Sequence, residues 1–419
     1  SMTNVDLKIS MSLIFLFLTF FTQGQVIGDV KFEELTIRQG LSNDQVNFVF
    51  EDQEGFIWIS TLSGLNRYDG YEVKTFYHDG KDTTSLASNT TLWMSYGPDG
   101  KLWVKNASGI NTYDPATEQF SYPQYYYELL QTEPAYITQM VMDPYGTCWF
   151  NIENRGLVAV DSINQVFEAN SSEDAKIHLS SSSVSHITLG KSGNLWLSHE
   201  SGLIEVINPV SNKVIRKYGF PEELSKTENY WKFTVDGDQD VWAYTSTNPC
   251  GVFYLNTKTG QSKIYNTPEI KSNLVTGVIQ TNDGKIWIGA DHGGIAILNK
   301  VTGEIQPVLN DPDDPQSLVN NNVNNLFLDS NGGIWVATIK SGVSYYHPSS
   351  SRFRHVKYDK KISAYNDMSS FAEDGSGNLW IGTNGQGLLK YNLRERAFKP
   401  LSSQVSANQP NVVVSLLND

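Results

Sequence analysis

The sequence predicts an all-β chain, a β-propeller built from four-stranded antiparallel blades. Two observations carry this prediction: a repeat centred on Trp, and a pattern of short strands inside each copy. Successive repeated tryptophans are separated by 45, 46, 47, 46, 45, 48 and 45 residues. They are Trp58, Trp103, Trp149, Trp196, Trp242, Trp287, Trp335 and Trp380. A period of this length, held over most of a chain, is typical of propeller blades.

Each copy of the repeat contains four strand-like segments. In the first copy they begin at Val46, Phe56, Gly64 and Tyr71, and turns containing Gly, Asp or Asn separate them. Segments rich in aromatic and β-branched residues, bounded by such turns, are typical of antiparallel strands. Each repeat is therefore expected to form one sheet, with its strands in chain order.

The turn before the repeated Trp has its own pattern. In the first copy Gly55 lies three residues before Trp58, and Asp52 lies six before it. We expect the glycine to adopt a positive φ, the aspartate to bond to the turn backbone and the Trp to pack on the neighbouring blade. The fifth copy departs from this pattern, because Gln239 stands in the place of the glycine.

A strand-like segment from Val30 to Ile37 precedes the first full repeat and predicts how the ring closes. An outer strand supplied by the N-terminus removes the open edge of the last blade. If it completes the blade of Trp335, seven blades close and the eighth repeat starts a second ring. If it completes the blade of Trp380, the chain is a single eight-bladed propeller. We favour a seven-bladed propeller over residues 25–350, with 351–419 as the truncated first repeat of a second propeller.

The first residues predict export. Lys8 precedes an apolar run from Leu13 to Phe21, and small or polar residues follow up to Gly24. This arrangement is typical of a signal peptide, here residues 1–24. The expected location is the periplasm.

The charge of the chain limits its partners. The formal net charge is −14 and the pI is about 5.0. Binding to a nucleic-acid backbone requires Lys and Arg to replace counterions, so nucleic acid is not an expected partner. A strongly anionic polymer would also meet an unfavourable long-range potential, although a local basic patch could still hold one. Neutral ligands are favoured.

The sequence contains no recognisable catalytic or metal-binding motif. The seven histidines do not form a paired metal-ligand spacing,. The run from Asp236 to Asp240 resembles the start of a calcium loop, but Val241 and Thr247 stand where that loop requires Gly and Glu,. We therefore predict no catalytic residue, no metal and no cofactor. Because carboxylates are abundant, a secreted glycoside hydrolase or lyase remains an alternative.

Three segments carry a resemblance to a known family. They are Gly40-Leu41-Ser42-Asn43-Asp44-Gln45-Val46, then Glu51 to Ile59, then Gly64-Leu65-Asn66-Arg67-Tyr68-Asp69-Gly70. Two similar connectors, Asp79 to Leu86 and Asp311 to Leu318, add to it. The chain closely resembles the two-component-regulator propeller family, the periplasmic sensors of hybrid two-component systems in Bacteroides-type gut bacteria.

The resemblance implies a non-catalytic sensor domain that binds an oligosaccharide and controls a histidine kinase regulating glycan-utilisation genes. It also implies a second propeller, a β-sandwich, a membrane helix and a kinase beyond this fragment, with the full-length protein in the inner membrane. A homodimer and a protein-interaction propeller remain alternatives.

Loops between second and third strands, and connectors into inner strands, are expected to share one face of the ring and to hold the ligand. Aromatic rings there would stack on sugars, while Arg, His and Lys would bond hydroxyls. The candidate residues are Tyr136, Arg155, His199, Tyr230, Trp231, Tyr244, His292, Lys340 and Tyr365, together with the run Tyr125-Tyr126-Tyr127.

Overall fold

The computed structural model describes residues 30–221, 230–245, 247–349, 368–384, 387–392, 397–399 and 412–417. The chain divides into two compact units, residues 1–352 and 353–419. Within the described residues, seven sheets lie in the first unit and one in the second.

The first strand, β1 (Glu33–Leu35), belongs to the seventh sheet. The strands of the first three sheets are β2 (Val46–Glu51), β3 (Ile57–Thr61), β4 (Gly64–Tyr68), β5 (Val73–Phe76), β6 (Thr91–Tyr96), β7 (Leu102–Asn106), β8 (Gly109–Asp114), β9 (Gln119–Ser121), β10 (Ile137–Met142), β11 (Cys148–Ile152), β12 (Gly156–Val160), β13 (Val166–Asn170) and β14 (Ile177–His178). One short helix, α1 (Gln124–Leu130), and two 3-10 turns (Ile37–Gln39 and Pro134–Tyr136) lie between them.

The strands of the other sheets in this unit are β15 (Val184–Leu189), β16 (Leu195–His199), β17 (Ile204–Asn208), β18 (Lys213–Tyr218), β19 (Lys232–Val235), β20 (Val241–Tyr244), β21 (Val252–Leu255), β22 (Ser262–Tyr265), β23 (Val275–Gln280), β24 (Ile286–Ala290), β25 (Gly294–Leu298), β26 (Ile305–Val308), β27 (Val323–Leu328), β28 (Ile334–Thr338) and β29 (Val343–Tyr346).

The strands of each repeat pair antiparallel in chain order, as the repeat predicts, and the seventh sheet takes its outer strand, β1, from the N-terminus. The third sheet differs, because β14 adds a short fifth strand parallel to β13. The Tyr125-Tyr126-Tyr127 run also differs from expectation, since it forms part of α1 rather than a loop, with Tyr127 buried.

The innermost strands of the seven sheets are joined to one another around a circle. Asn47 Nδ2 of β2 donates to Thr91 O of β6 at 2.8 Å, and Thr276 Oγ1 of β23 donates to Val323 O of β27 at 2.8 Å. Asn324 Nδ2 then donates to Val46 O at 2.8 Å. This last bond connects the seventh sheet to the first, so the circle is closed.

The N-terminal strand completes the seventh sheet. Leu35 of β1 lies opposite Val343 of β29, and Glu33 lies opposite Tyr345. Just before β1, the buried Phe32 donates its backbone N–H to Gln316 O at 2.8 Å. β1 thus pairs with the blade of Trp335, which is the pairing that closure at seven blades requires.

The repeated Trp is held by the aspartate of its turn. Asp52 Oδ1 accepts from the backbone N–H of Phe56 at 2.9 Å, as the sequence predicts, and Oδ2 accepts from Trp58 Nε1 at 2.7 Å. The same Asp-to-indole bond, at 2.8 or 2.9 Å, recurs at Trp149, Trp242, Trp335 and Trp380. Trp58 packs against Leu102 and Val104 of the next blade. The bond between the turn aspartate and the repeated Trp is therefore part of the structure of the blade.

The fourth copy lacks this aspartate. Gly190 stands in its place, and a Cβ there would lie 2.7 Å from Trp196 Nε1, so the indole occupies the space of the missing side chain. Trp196 Nε1 is buried without a hydrogen-bond partner among the described residues. In the fifth copy, Gln239 adopts φ of +68°, the conformation that glycine takes elsewhere.

Replacing Asp143 by Ala should destabilise the third blade by about 2 to 3 kcal/mol. Its buried carboxylate accepts from Trp149 Nε1 at 2.9 Å and from the backbone of Thr147 at 3.0 Å, so both donors would lose their acceptor. Urea unfolding of the chain measures the change. Asp161→Ala is the matched control: Asp161 Oδ1 caps the turn at Gln165 at 2.8 Å but bonds no indole. Equal losses for both variants would contradict the role of the indole bond.

The second unit contains one sheet in the described residues, formed by β30 (Met368–Glu373), β31 (Asn378–Thr383), β32 (Leu388–Asn392) and β33 (Ala397–Lys399). Its strands are antiparallel and in chain order, like those of the other blades. Val412 forms an isolated antiparallel bridge with Asn384. The eighth repeat therefore has the same blade construction as the others.

Candidate functional site

In the first unit, two kinds of segment lie at the same edge of the ring: the loops between second and third strands, and the connectors that lead into the inner strands. Successive antiparallel strands reverse direction, so the loops from second to third strands share an edge with the connectors that lead into the inner strands. This edge is termed the connector face. The opposite edge carries the Asp-Trp turns and is termed the turn face. The loops between second and third strands are residues 62–63, 107–108, 153–155, 200–203, 245–251, 291–293 and 339–342.

These loops vary in length more than the strands that flank them, and the fifth is the longest, as the sequence predicts. A glycine lies at or beside the end of each loop, and in two loops the outer strand comes close to it. At Gly342 a Cβ would lie 2.4 Å from Leu35 O, and at Gly251 it would lie 2.2 Å from Tyr265 O. Both glycines have positive φ, at +73° and +82°. The loops can therefore differ while the strands after them keep their register.

The two similar connectors have the same structure. Ser85 Oγ accepts from Asp79 N at 2.9 Å, and Ser317 Oγ accepts from Asp311 N at 2.9 Å. The leucine that follows each serine, Leu86 or Leu318, is fully buried. Each connector is thus a self-bonded turn anchored by one apolar side chain, as expected of a rigid surface turn.

Four of the nine candidate residues lie exposed on the connector face. Tyr136 and Tyr230 are in connectors and are 50% and 55% exposed. His292 and Lys340 are exposed in the sixth and seventh loops. His292 has φ of +60°, an unfavourable conformation for a residue with a side chain,. Asn154, in the third loop, has a similar φ of +58°.

Three candidates are buried instead. His199 and Trp231 are each 1% exposed, and Tyr244 is 7% exposed. His199 Nε2 lies 2.7 Å from Glu205 Oε2, while Trp231 packs edge-on against Phe220. The side chains of His199 and Trp231 thus lie in the interior of their blades, whereas Tyr244 lines a cavity between the inner strands. Tyr365 lies outside the described residues.

Arg155 is held by the protein itself. Its guanidinium donates to Glu168 Oε1 at 2.5 Å through Nη2 and to Leu130 O at 2.6 Å through Nη1. It therefore links the third loop to the outer strand β13 and to the end of α1. Sequence reasoning could not identify these partners, because both are distant along the chain.

The three aspartates of the fifth turn surround a lysine of the sixth blade. Lys300 Nζ lies 2.6 Å from Asp236 Oδ2, 2.9 Å from Asp238 Oδ2 and 2.7 Å from Asp240 Oδ2. Burial opposes the charge of Lys300, but these three bonds raise its pKa above the ordinary value. The Asp-rich run is thus a contact between blades, with an ammonium at its centre.

Replacing Lys300 by Met should destabilise the chain by about 3 kcal/mol, because two buried carboxylates, those of Asp236 and Asp240, would face each other without a cation,. Thermal unfolding in low salt measures the loss. Lys263→Met is the control, since Lys263 and its partner Glu269 are both exposed and the pair contributes less than about 1 kcal/mol,. Similar losses for the two variants would contradict the buried contact.

The inner strands enclose a cavity of about 600 Å³ along the axis of the ring. It is lined by side chains from all seven inner strands: Asn47, Phe48, Phe50, Leu92, Trp93, Met94, Ser95, Thr138, Gln139, Met140, Val141, Ser185, His186, Lys232, Thr276, Asn324 and Asn325, with Tyr244 from the fifth blade. This cavity is termed the central channel. Tyr244, one of the nine candidates, therefore faces the channel rather than the loops.

Sequence reasoning missed the other channel residues, although a signal for them exists. The position ten residues before the repeated Trp holds, in order, Phe48, Trp93, Gln139, His186, Lys232, Gly277 and Asn325. All of them except the glycine line the channel. The repeated Trp is constant from copy to copy, so this variation indicates a position that blade construction restricts less.

The repeats match the model of a known family, described as "Two component regulator propeller", at residues 40–63, 317–340 and 363–385. The chain carries two-component-regulator propeller repeats.

Solved structures share the fold. The extracellular domain of the hybrid two-component system BT3049 from B. thetaiotaomicron has a TM-score of 0.66 and 24% identity, over 93% of this chain and 51% of that one. The extracellular domain of BT4673 from the same organism has a TM-score of 0.59 and 21% identity, over 87% of this chain and 46% of that one. Both confirm the propeller fold.

A curated relative, "Histidine kinase P4" from Formosa agariphila, is 26% identical over 299 residues, which cover 58% of this chain and 21% of the relative. The chain thus spans about a fifth of that kinase and about half of the extracellular-domain structures it matches. In the part of the chain that the structure describes, none of the helices has the length and apolarity needed to cross a bilayer.

Proposed function

We propose that this chain is the ligand-binding part of a periplasmic sensor, which binds an oligosaccharide at the connector face and so controls a histidine kinase that regulates glycan-utilisation genes. The observation that carries the proposal is the match of three repeats to two-component-regulator propellers, together with likeness to a protein named as a histidine kinase. The kinase, the membrane segment and the second propeller would belong to the full-length protein in the inner membrane.

The connector face supports this role by its chemistry. Tyr136 and Tyr230 present exposed rings that can stack on sugar faces, and His292 and Lys340 present donors for hydroxyl groups,. They lie on four different blades, so an extended ligand could contact several of them at once. A rigid ring with variable loops is a suitable scaffold for such a surface.

Titration of the purified chain with a panel of neutral and acidic oligosaccharides tests the proposal. We expect saturable heat of binding for at least one glycan and no cleavage products by chromatography. A Tyr136→Ala, Tyr230→Ala double variant should weaken that binding, whereas Tyr145→Ala, an exposed tyrosine on the turn face, should not.

Two outcomes would overturn the proposal. Cleavage products would identify a glycoside hydrolase or lyase. The absence of binding to every glycan, combined with capture of a protein partner, would identify a protein-interaction propeller.

A further inference from the structure

The central channel contains a cation without a partner. Lys232, the first residue of inner strand β19, lines the channel, and its Nζ has no hydrogen bond or ion pair with any residue that the structure describes. Its side chain is open to the space of the channel but surrounded by the inner strands, and this enclosure lowers the pKa of its ammonium. Lys232 is exposed to the channel, so its ammonium can contact a group that enters the channel.

Lys232 is also the only formally charged residue among the 18 that line the cavity in the described part of the chain. His186, its neighbour in the channel, remains neutral near pH 7, because burial and then the charge of Lys232 lower its pKa to about 3. The channel thus has one positive charge and no lining carboxylate, inside a chain whose net charge is −14.

Two other polar groups of the channel also lack partners. Asn325 Oδ1 and His186 Nδ1 are buried without a hydrogen bond among the described residues. This contrasts with the neighbouring polar residues of the inner strands. Asn47, Gln139 and Asn324 all bond to the backbone of the next blade and so help to build the ring.

The polar groups without a partner are therefore those that do not bond to the backbone of the next blade. All three, Lys232, His186 and Asn325, stand at the variable position ten residues before the repeated Trp. Of the three, Lys232 is the residue exposed to the channel, where an anionic ligand can reach its ammonium.

We propose that the central channel is a binding site for the single anionic group of a small hydroxylated ligand, with Lys232 as the counter-charge. The lysine ammonium would donate to a carboxylate or sulfate oxygen, the charge-assisted bond that such groups prefer. The volume of about 600 Å³ lies in the range of small-molecule sites and suits a sugar of one or two rings,.

The net charge limits the ligand further. A polyanion would meet the negative potential of the whole chain, whereas one acid group requires only the local field of Lys232. This inference rests on the proposed function for the sugar part of the ligand and deepens it: a uronic acid or a singly sulfated sugar fits the channel better than its neutral counterpart.

The test compares glucuronate with glucose and inorganic sulfate as probes. Binding to the purified chain is measured by calorimetry, and protection of Lys232 against acetylation is measured by mass spectrometry. We expect glucuronate and sulfate to protect Lys232 and glucose to leave it unprotected. Lys232→Met should weaken glucuronate binding by about tenfold or more, and Lys232→Arg should restore part of it.

Lys340→Met, which removes an exposed lysine of the connector face, should leave glucuronate binding unchanged. Lys232→Met removes an unpaired charge, so its melting temperature should equal or exceed that of the wild type. Equal affinity of wild type and Lys232→Met for glucuronate, or acetylation of Lys232 that neither anion slows, would overturn the inference.

These results separate the two proposals. If no oligosaccharide binds the chain but glucuronate still protects Lys232, the sensor proposal fails and the channel site stands. If neutral oligosaccharides bind at the connector face and Lys232 remains unprotected by both anions, the channel site fails and the sensor proposal stands.

Discussion

A chain that begins at Thr36 should be far less stable than one that begins at Val30. The six residues removed contain β1, which forms the outer edge of the seventh sheet and pairs with β29. They also bury Phe32 and Leu35, and burial of each such side chain contributes about 1.5 to 3 kcal/mol,. With the lost backbone pairing, we expect the free energy of unfolding to fall by about 5 kcal/mol, a large part of the stability of an ordinary domain.

Urea unfolding followed by Trp fluorescence measures this difference, and the chain that begins at Val30 is the matched control because it retains every described residue. The shorter chain should also self-associate, since β29 would become an open edge. Equal stability of the two chains would contradict closure of the ring by the N-terminal strand.

Replacing Glu205 by Ala should destabilise the fourth blade by about 4 kcal/mol. Its fully buried carboxylate accepts from Ser180 N at 3.0 Å and lies 2.7 Å from both His199 Nε2 and Lys217 Nζ. Those groups would lose their common partner. Glu168→Ala is the control, because Glu168 and its partner Arg155 are partly exposed. Equal losses would contradict the dependence of the effect on burial.

The same carboxylate predicts a pH dependence. Burial raises the pKa of Glu205, but bonds from His199, Lys217 and Ser180 outweigh it and hold the pKa at about 2, below the ordinary value of 4.5. A lowered pKa stabilises the fold above pH 4.5, and this contribution of about 3 kcal/mol is lost as the pH falls toward 2,. The stability difference between wild type and Glu205→Gln should therefore shrink over this window in urea titrations. A difference that stays constant from pH 6 to 2 would contradict this assignment.

The fold could be predicted because its determinants recur. The Trp spacing, the turn glycines and the four-strand pattern each appear many times, so local propensities and the global ring agree. The sequence did not reveal that the turn aspartate bonds the indole of Trp58, since that contact depends on side-chain placement. It also did not reveal α1 or the parallel strand β14, each of which occurs in a single connector among the described residues.

The site could be predicted only in part. The position of a residue in the sequence predicts the end of the strand at which it lies, but not how deeply its side chain is buried. His199 ends β16 at the connector face, yet it turns inward to Glu205 and is buried. Lys232 begins an inner strand, where a charged residue would ordinarily be explained as an exposed strand end. Only the closed ring shows that it faces a shared channel.

The most direct test of the account is amide hydrogen exchange of the chain with and without the oligosaccharide of highest affinity in the panel. The account predicts slower exchange in the loops 153–155, 291–293 and 339–342 and at the starts of the inner strands, with the Asp-Trp turns unchanged. Protection confined to the turn face, at residues 52–56, 143–147 and 329–333, would contradict it.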